Sequence, residues 1–490
     1  MADDSRSKLR QVPYRPRVFV TTDIGNEPDD SESFVRYLLY CNEFRTEGLV
    51  PCTSTHQRTF TRPDLMEIAL RGYAQVVDNL NAHTHPNNPY PDPETLFALV
   101  KCGPPVYGRE ALEPSTPLAE GTELLIRSVD SSSEPLWVVC WGGSNVLAQA
   151  LHHVQQTRSP MELKVFYLKL RVYMISDQDD TGPWIRANFP QLFLICSIHG
   201  WCMYKTAAWW GIACPEDGVD RSQFSREWLD QNIRLGPLGR TYPYPAWQIE
   251  GDTPSFLYLI PNGLGTPDEP SWGSWGGRYD PVDLTFQVKH FADTLDNVIG
   301  KDNKQYASNF ATVWRWAEAF QNDFAARMQW SLHADIRKSN HAPVVIVNGD
   351  TNGPQALQIE IEAGQTIFLD ATASYDPDGD ALSFTWFHYS EPTVAMGIND
   401  LEVPTFDIVP VEAGDMRTVK IVMPPPGVCA VDPKSGKARA KGHVYHFVLE
   451  VKDAGSPPLR TYKRVVVQTT NKDLKGSRAP LPRVASWEPK

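Results

Sequence analysis

Arg17–Thr22 (RVFVTT) is an apolar, β-branched run that stops at Asp23, turns through Ile24-Gly25-Asn26-Glu27-Pro28 and gives way to a helical pattern opening on Asp29-Asp30. A strand that ends in a polar turn and feeds a helix is the building unit of a parallel α/β sheet, because parallel neighbours need a crossover between them. The unit recurs. Phe34, Val35, Leu38 and Cys41 fall on one face of a helix expected over 31–44, followed by a second strand at 46–55 (TEGLVPCTST) and a helix over 63–80. The run at 135–140 (PLWVVC) enters a helix over 146–154 through Trp141-Gly142-Gly143-Ser144-Asn145. Another at 169–176 (KLRVYMIS) ends in Asp177-Gln178-Asp179-Asp180, and 191–197 reads as one more short strand. Ligands of open α/β sheets sit beyond the carboxyl ends of the strands, so these acidic and Gly-rich loops mark the expected site.

With 490 residues the chain exceeds what one hydrophobic core usually supports. The pattern changes near His341-Ala342-Pro343, after which period-two runs at 344–348, 358–362, 366–370, 382–387, 418–422, 444–452 and 463–469 are spaced by Gly, Pro, Asp and Asn. The expected organisation is a flexible N-terminus over 1–16, a mainly parallel α/β domain over 17–338, an all-β sandwich of immunoglobulin type over 342–472 and a tail over 473–490. In the sandwich, Asp370 to Asp380 (DATASYDPDGD) followed by Trp386 resembles an acidic turn of PKD and cadherin-like modules, which holds either a structural Ca²⁺ or its own hydrogen bonds.

A formal net charge of −13 argues against a nucleic-acid polymer as partner, since phosphate binding needs a concentrated basic face. No run approaches the roughly 18 apolar residues of a membrane helix, so no membrane partner is expected. The first 16 residues are polar, without a secretory apolar region, and the eight scattered cysteines read as reduced core thiols. Both features point to a cytoplasmic protein.

Four acids in the first turn, Asp23, Glu27, Asp29 and Asp30, must hold a cation, perform acid/base work, or cap a helix. Asp23 ends a buried strand and Gly25 allows the chain to fold back, so the aspartates can converge, and oxygen-only ligands suit Ca²⁺ or Mg²⁺.

The order Thr22-Asp23-Ile24-Gly25, then Asp29-Asp30, resembles the N-terminal aspartate motif of the inosine-uridine nucleoside hydrolases. Trp141-Gly142-Gly143-Ser144-Asn145-Val146-Leu147-Ala148 is similar to that family's strand-to-helix segment, and Glu250-Gly251-Asp252-Thr253-Pro254 stands where its last metal aspartate lies. More closely, the segments at 55–59, 176–190 (SDQDDTGPWIRANFP), 250–264 (EGDTPSFLYLIPNGL), 275–279 and 320–330 resemble the nucleoside-hydrolase-like proteins called cellulose-binding Sde182, over about residues 15 to 470.

The resemblance implies a nucleoside-hydrolase-like fold and a Ca²⁺ cofactor held by Asp23, Asp30, the Ser144 carbonyl and Asp252. It also implies a small-molecule glycoside or saccharide-like substrate, and association into homo-oligomers. Asp29 would accept a sugar hydroxyl, Asp23 would take the proton of an attacking water, and Glu27 would add a ligand or an acid. Two departures stand out: Thr21 replaces the motif's first aspartate, and Gly251 replaces the histidine before the final one, so the leaving-group acid of that family is missing. His56 and His199 are the candidates to replace it. Asn145, Asp177, Gln178, Asp179 and Asn188 are expected to bind sugar hydroxyls, and Trp184 and Trp275 to form pocket walls. The expected activity is a Ca²⁺-dependent hydrolysis of an N-ribosyl-like or other glycosidic bond. The alternatives are a carbohydrate-binding protein without catalysis, or an enzyme of secondary metabolism using the same pocket on a non-nucleoside molecule.

Overall fold

The computed structural model describes residues 5–198, 203–214, 216–283, 285, 287–393, 403–431, 437–472 and 474. Contacts divide the chain into two compact units: Tyr14–Ile260 with Ser274–Ser339, and Met1–Pro13 with Pro261–Gly273 and Asn340–Lys490.

The first unit is built on a seven-stranded sheet. Its strands are β1 (Arg17–Thr22), β2 (Arg45–Pro51), β3 (Leu136–Cys140), β4 (Leu170–Ile175), β5 (Phe193–Ser197), β6 (Tyr279–Pro281) and β7 (His290–Asp293), in the order β2-β1-β3-β4-β5-β7-β6. Every pairing is parallel except that of β6 with β7. All six residues of β1 are buried, as expected of a strand covered on both faces. Alternate residues along the strands divide between the two faces. Phe19, Val138, Val172 and Leu194 join Leu125, Val129, Leu147 and Leu151 from helices 120–130 and 145–157 on one side. On the other, Trp137 and Tyr173 pack against Tyr258 at ring distances of 5.5 and 5.7 Å. An antiparallel pair, β8 (Asp296–Ile299) and β9 (Gln305–Ser308), stands apart from the sheet.

The strand after β1 ends at Pro51, four residues before its expected end, because the chain leaves the ladder: Ser54 N–H turns back to the Gln57 carbonyl and Thr55 N–H reaches the Gln178 carbonyl. The helix over 63–80 is two, Pro63–Ala74 and Val77–Ala82.

The second unit is a β-sandwich. One sheet runs β10 (Leu357–Glu362), β16 (Arg460–Thr470), β15 (Lys441–Asp453), β12 (Leu382–His388); the other runs β11 (Thr366–Asp370), β14 (Asp415–Val422), β13 (Ile408–Glu412). Its pairings are antiparallel apart from β10 with β16. Trp386, Phe447 and Val465 from the first sheet meet Ile367, Val419 and Ile421 from the second in one core. The expected strand at 344–348 makes only isolated bridges, Val344 to Tyr375 and Val347 to Asp350. Residues 261–273 join this unit through Arg464, whose buried guanidinium donates to the carbonyls of Leu264 (2.7 Å) and Trp272 (2.8 Å).

Candidate active site

The carboxyl ends of β1, β3 and β4 open onto a cavity of about 340 Å³. Its floor is acidic, with Asp23, Asn26, Glu27, Asp29, Asp30 and Asp252, and its wall aromatic, with Trp141, Tyr204, Trp209, Trp210 and Trp247; Gln178, His56, Lys205 and Gln248 complete the rim. That volume lies at the small end of ligand sites, roughly 300–1,000 Å³.

The local chain explains the floor. β1 carries Asp23 to the sheet edge, Gly25 takes φ +106°, a conformation costly for other residues, and Asn26 N–H closes the turn on the Asp23 carbonyl (3.2 Å). The helix then starts on Asp29 itself. Pro28 occupies the cap position without a side-chain bond, so Asp29 and Asp30 are the first helical residues and neither caps the helix. Their carboxylates are left for the cavity, beside the positive end of the helix dipole. Asp252 arrives at the start of the short helix Thr253–Leu257. Gly142 makes the approach of β3 possible: a Cβ there would lie 2.7 Å from Asp23 Oδ1.

Carboxylate oxygens of Asp29, Asp30 and Asp252 lie within 4.8 Å of one another. Buried oxygens Asp23 Oδ2 and Asp252 Oδ2 have no hydrogen-bond partner, whereas Asp30 accepts the Thr22 hydroxyl. Burial pushes the Asp23 carboxyl up to about 6 and, with Glu27 and Asp23 adding repulsion, that of Asp29 up to about 7. Asp30 and Asp252 are raised well above the carboxylate range by burial and then by their acidic neighbours. Unpartnered buried oxygens held against like charge are what a hard cation neutralises. With no thiol or imidazole in the triple, the donor set fits Ca²⁺ or Mg²⁺. Asp29, expected only to bind a sugar, is grouped here with Asp30 and Asp252.

Behind Asp252 a buried network fixes its loop. Glu250, at φ +48°, meets the Arg36 guanidinium at 2.6 Å and accepts from the hydroxyls of Tyr242 (2.8 Å) and Thr253 (3.0 Å). Its own N–H donates to Glu32 (2.9 Å), a fully buried acid pushed up to about 9 by burial and then by Glu250.

Other expected residues lie elsewhere for identifiable reasons. Ser144 does not line the cavity: its hydroxyl faces Thr181 (2.7 Å) and its carbonyl accepts from Ala148 N–H as the first bond of the helix. Asn145 ties loops together, donating to Thr53 (2.9 Å) and to the Val106 carbonyl (3.0 Å). Asp177 is bound twice by Arg186 (2.8 and 2.7 Å), and its backbone carbonyl holds the Tyr204 hydroxyl (2.6 Å), so it supports the wall without facing the ligand space. Asp179 accepts the Thr181 N–H (2.8 Å) ahead of the next helix. Trp184 packs against Phe189 beside the core, Asn188 bonds the Trp184 carbonyl at an exposed helix end, and Trp275 is buried away from the cavity. His56 stands exposed at the rim; His199 lies outside the described residues.

Tyr204, Lys205, Trp209, Trp210, Trp247 and Gln248 were not singled out by the motifs. The Trp209-Trp210 doublet and the Trp247-Gln248 pair just ahead of Glu250-Gly251-Asp252 are the signals that mark them.

The acidic turn of the sandwich brings Asp376, Asp378 and Asp380 within 4.8 Å, but Asp376 accepts the N–H groups of Asp378 and Asp380 and Asp378 accepts that of His341. The seven described cysteines are free, and no described helix is long and apolar enough to cross a membrane.

Residues 17–279 match the family described as cellulose-binding Sde182, nucleoside hydrolase-like domain, and residues 366–469 match the cellulose-binding protein Sde0182 C-terminal domain. The chain belongs to the Sde182 nucleoside hydrolase-like family. A solved nucleoside hydrolase-related hypothetical protein from Saccharophagus degradans, associated with carbohydrate metabolism, is similar at 32% identity, over 93% of this chain and 100% of that one, with a TM-score of 0.73. The effector protein XOO4466 and the type III effector XopQ, solved with adenosine diphosphate ribose, each align over 68% of this chain at 12% identity, with TM-scores of 0.30 and 0.31, too low to carry an argument. A search of curated proteins finds no match.

Proposed function

We propose that this chain is a Ca²⁺-dependent hydrolase of a glycosidic bond, N-ribosyl-like or otherwise. The observation that carries the reading is the convergence of Asp23, Asp29, Asp30 and Asp252, two of them with unpartnered buried oxygens, on the floor of a cavity at the strand ends. Asp29, Asp30 and Asp252 would hold the ion, with Asp23 beside them. Bound there, Ca²⁺ supplies the Lewis acidity that lowers the pKa of a water and helps to orient it.

The chain's own groups do the rest. Asp23 takes the proton of the attacking water as its oxygen bonds to the anomeric carbon, and the glycosidic bond breaks with its electron pair leaving on the aglycone. The remaining carboxylates favour the positive charge that develops on the sugar ring in such a transition state. Trp141 and Trp209 exclude water from one side of the ring. Among the described residues His56 is the histidine that lines the cavity, which supports it as the group that would protonate the departing aglycone.

The test is turnover of p-nitrophenyl β-D-ribofuranoside, nucleosides and cello-oligosaccharides by wild type and Asp23→Asn, with and without calcium. Calcium-dependent release that Asp23→Asn lowers by about 10²–10⁴-fold supports the reading. Saccharide binding with no release by any substrate would favour a binding protein instead.

A further inference from the structure

The acidic turn Asp376-Pro377-Asp378-Gly379-Asp380 meets a fourth carboxylate that lies more than 70 residues away in the chain, Asp453. The turn leads into β12, and the ladder of β12 with β15 ends on the pair Leu382 and Asp453, which sets the last residue of β15 across from the turn's exit. Residues 340 and 341 link the two sides. The Asn340 amide donates to Asp453 Oδ1 (3.0 Å), and the next residue, His341, donates its N–H to Asp378 Oδ2 (2.7 Å). All of these residues belong to the second compact unit.

Hydrogen bonds load one oxygen of Asp376 and one of Asp453 and leave the other bare. Asp376 Oδ1 accepts the N–H groups of Asp378 (2.9 Å) and Asp380 (3.0 Å), while Asp376 Oδ2 is buried with no hydrogen-bond partner. Asp453 is only 3% exposed. Its Oδ1 takes the Asn340 amide and the N–H groups of Gly455 (2.9 Å) and Leu459 (3.0 Å), and its Oδ2 is buried without a partner. The acids act on one another across this space: burial raises the Asp376 carboxyl to about 6 with Asp453 and Asp378 adding repulsion, and burial and then Asp380 raise Asp453.

The donor set selects the occupant. A shared proton would neutralise one of the four acids, whereas a divalent cation neutralises two and is drawn by all four. Every ligand atom on offer is a carboxylate oxygen, which suits a hard ion. Oxygens of Asp376, Asp378 and Asp380 lie within 4.8 Å of one another. That is the span across an ion with bonds of about 2.4 Å, the calcium length, and calcium also accepts the irregular geometry that a turn and a strand end provide.

We infer that the sandwich carries a Ca²⁺ site of its own, formed by Asp376, Asp378 and Asp380 of the turn with Asp453 from the end of β15, and that the ion clamps the turn to that strand end. The inference does not depend on the reading of the strand-end cavity.

Calorimetric titration of calcium into the metal-stripped full chain tests it, with thermal unfolding in calcium and in EGTA alongside. Asp378→Asn and Asp453→Asn each remove a charge and keep an oxygen for the N–H groups bound there. The expected result is a calcium-binding event that Asp252→Asn retains and that both sandwich variants weaken at least tenfold. Calcium raises the melting temperature of wild type and not that of the two variants, which in EGTA melt no lower than wild type because a repulsion has been relieved. Wild-type calcium binding in both sandwich variants overturns the inference. So does a lower melting temperature of the variants already in EGTA with the calcium response unchanged, the behaviour of a turn held by its own hydrogen bonds. Loss of all calcium binding in Asp252→Asn would assign the ion to the strand-end aspartates, overturning this site while the proposed function stands.

Discussion

Arg36 and Glu250 are each fully buried and meet at 2.6 Å, two residues ahead of Asp252. Replacing Arg36 by Met keeps most of the apolar bulk but leaves the Glu250 carboxylate with only neutral donors, the Tyr242 and Thr253 hydroxyls. Breaking a buried pair from one side costs about 3–5 kcal/mol, because the surviving charge has no water to return to. Glu250→Gln leaves Arg36 with the Gln321 amide oxygen, the Phe320 carbonyl and the Phe324 ring 4.0 Å from its guanidinium carbon, so its cost falls at the lower end of that range. Removing both charges leaves neither stranded, and the double variant is expected to lose less than the singles added together, with a coupling of about 2–3 kcal/mol. Urea unfolding of wild type, both singles and the double variant, followed by tryptophan fluorescence, gives the four free energies. Additive losses would refute the reasoning, since they would mean that the two charges do not depend on each other. A single-variant loss under about 1 kcal/mol would refute it too, by showing that water reaches the pair.

In the sandwich, burial lowers the His388 imidazole to about 4, and its ring lies against Phe406 (4.8 Å) and Phe447 (5.4 Å). The folded state therefore keeps His388 neutral. Its contribution is complete above the unfolded value near 6.5 and is lost as pH falls through about 4, worth about 2 kcal/mol once partial exposure is discounted. Thermal unfolding between pH 7 and 4 should show this loss in wild type and a smaller one in His388→Phe; identical slopes would contradict it. Gly251→Ala pushes a methyl group against Gln248 and Asp29, at an expected cost of about 1–3 kcal/mol. Unchanged thermal melting would show that Gln248 and Asp29 make room for the methyl group without cost.

The α/β pattern was legible because strands covered on both faces are written as continuous apolar runs, and Arg17–Thr22 has the same bounds in sequence and structure. The antiparallel pieces at 279–281, 290–293, 296–299 and 305–308 were not, being three or four residues long and half-exposed, too short for a period to declare itself. At the site, the acids carried their own signal, since carboxylates gathered in one turn at the end of a buried strand repel one another. Their division of labour did not follow: the sequence distance from Asp29 to Asp252 hides that their oxygens are neighbours. Asp177, Asp179 and Trp184 follow a strand end as closely as the residues that line the cavity do, and only the direction of their side chains, toward Arg186, Thr181 and Phe189, separates them from it. Trp247 was hidden for the opposite reason, because its place on the cavity depends on a positive backbone angle that no spacing encodes.

The account stands on the carboxylates around Asp252 being a cation site. Calorimetric titration of calcium into metal-stripped wild type, Asp30→Asn and Asp252→Asn tests it most directly. A saturable site in wild type that weakens at least tenfold in both variants, with the folded state confirmed by circular dichroism, is the predicted result. Equal calcium binding in all three proteins, or none in wild type, would contradict it.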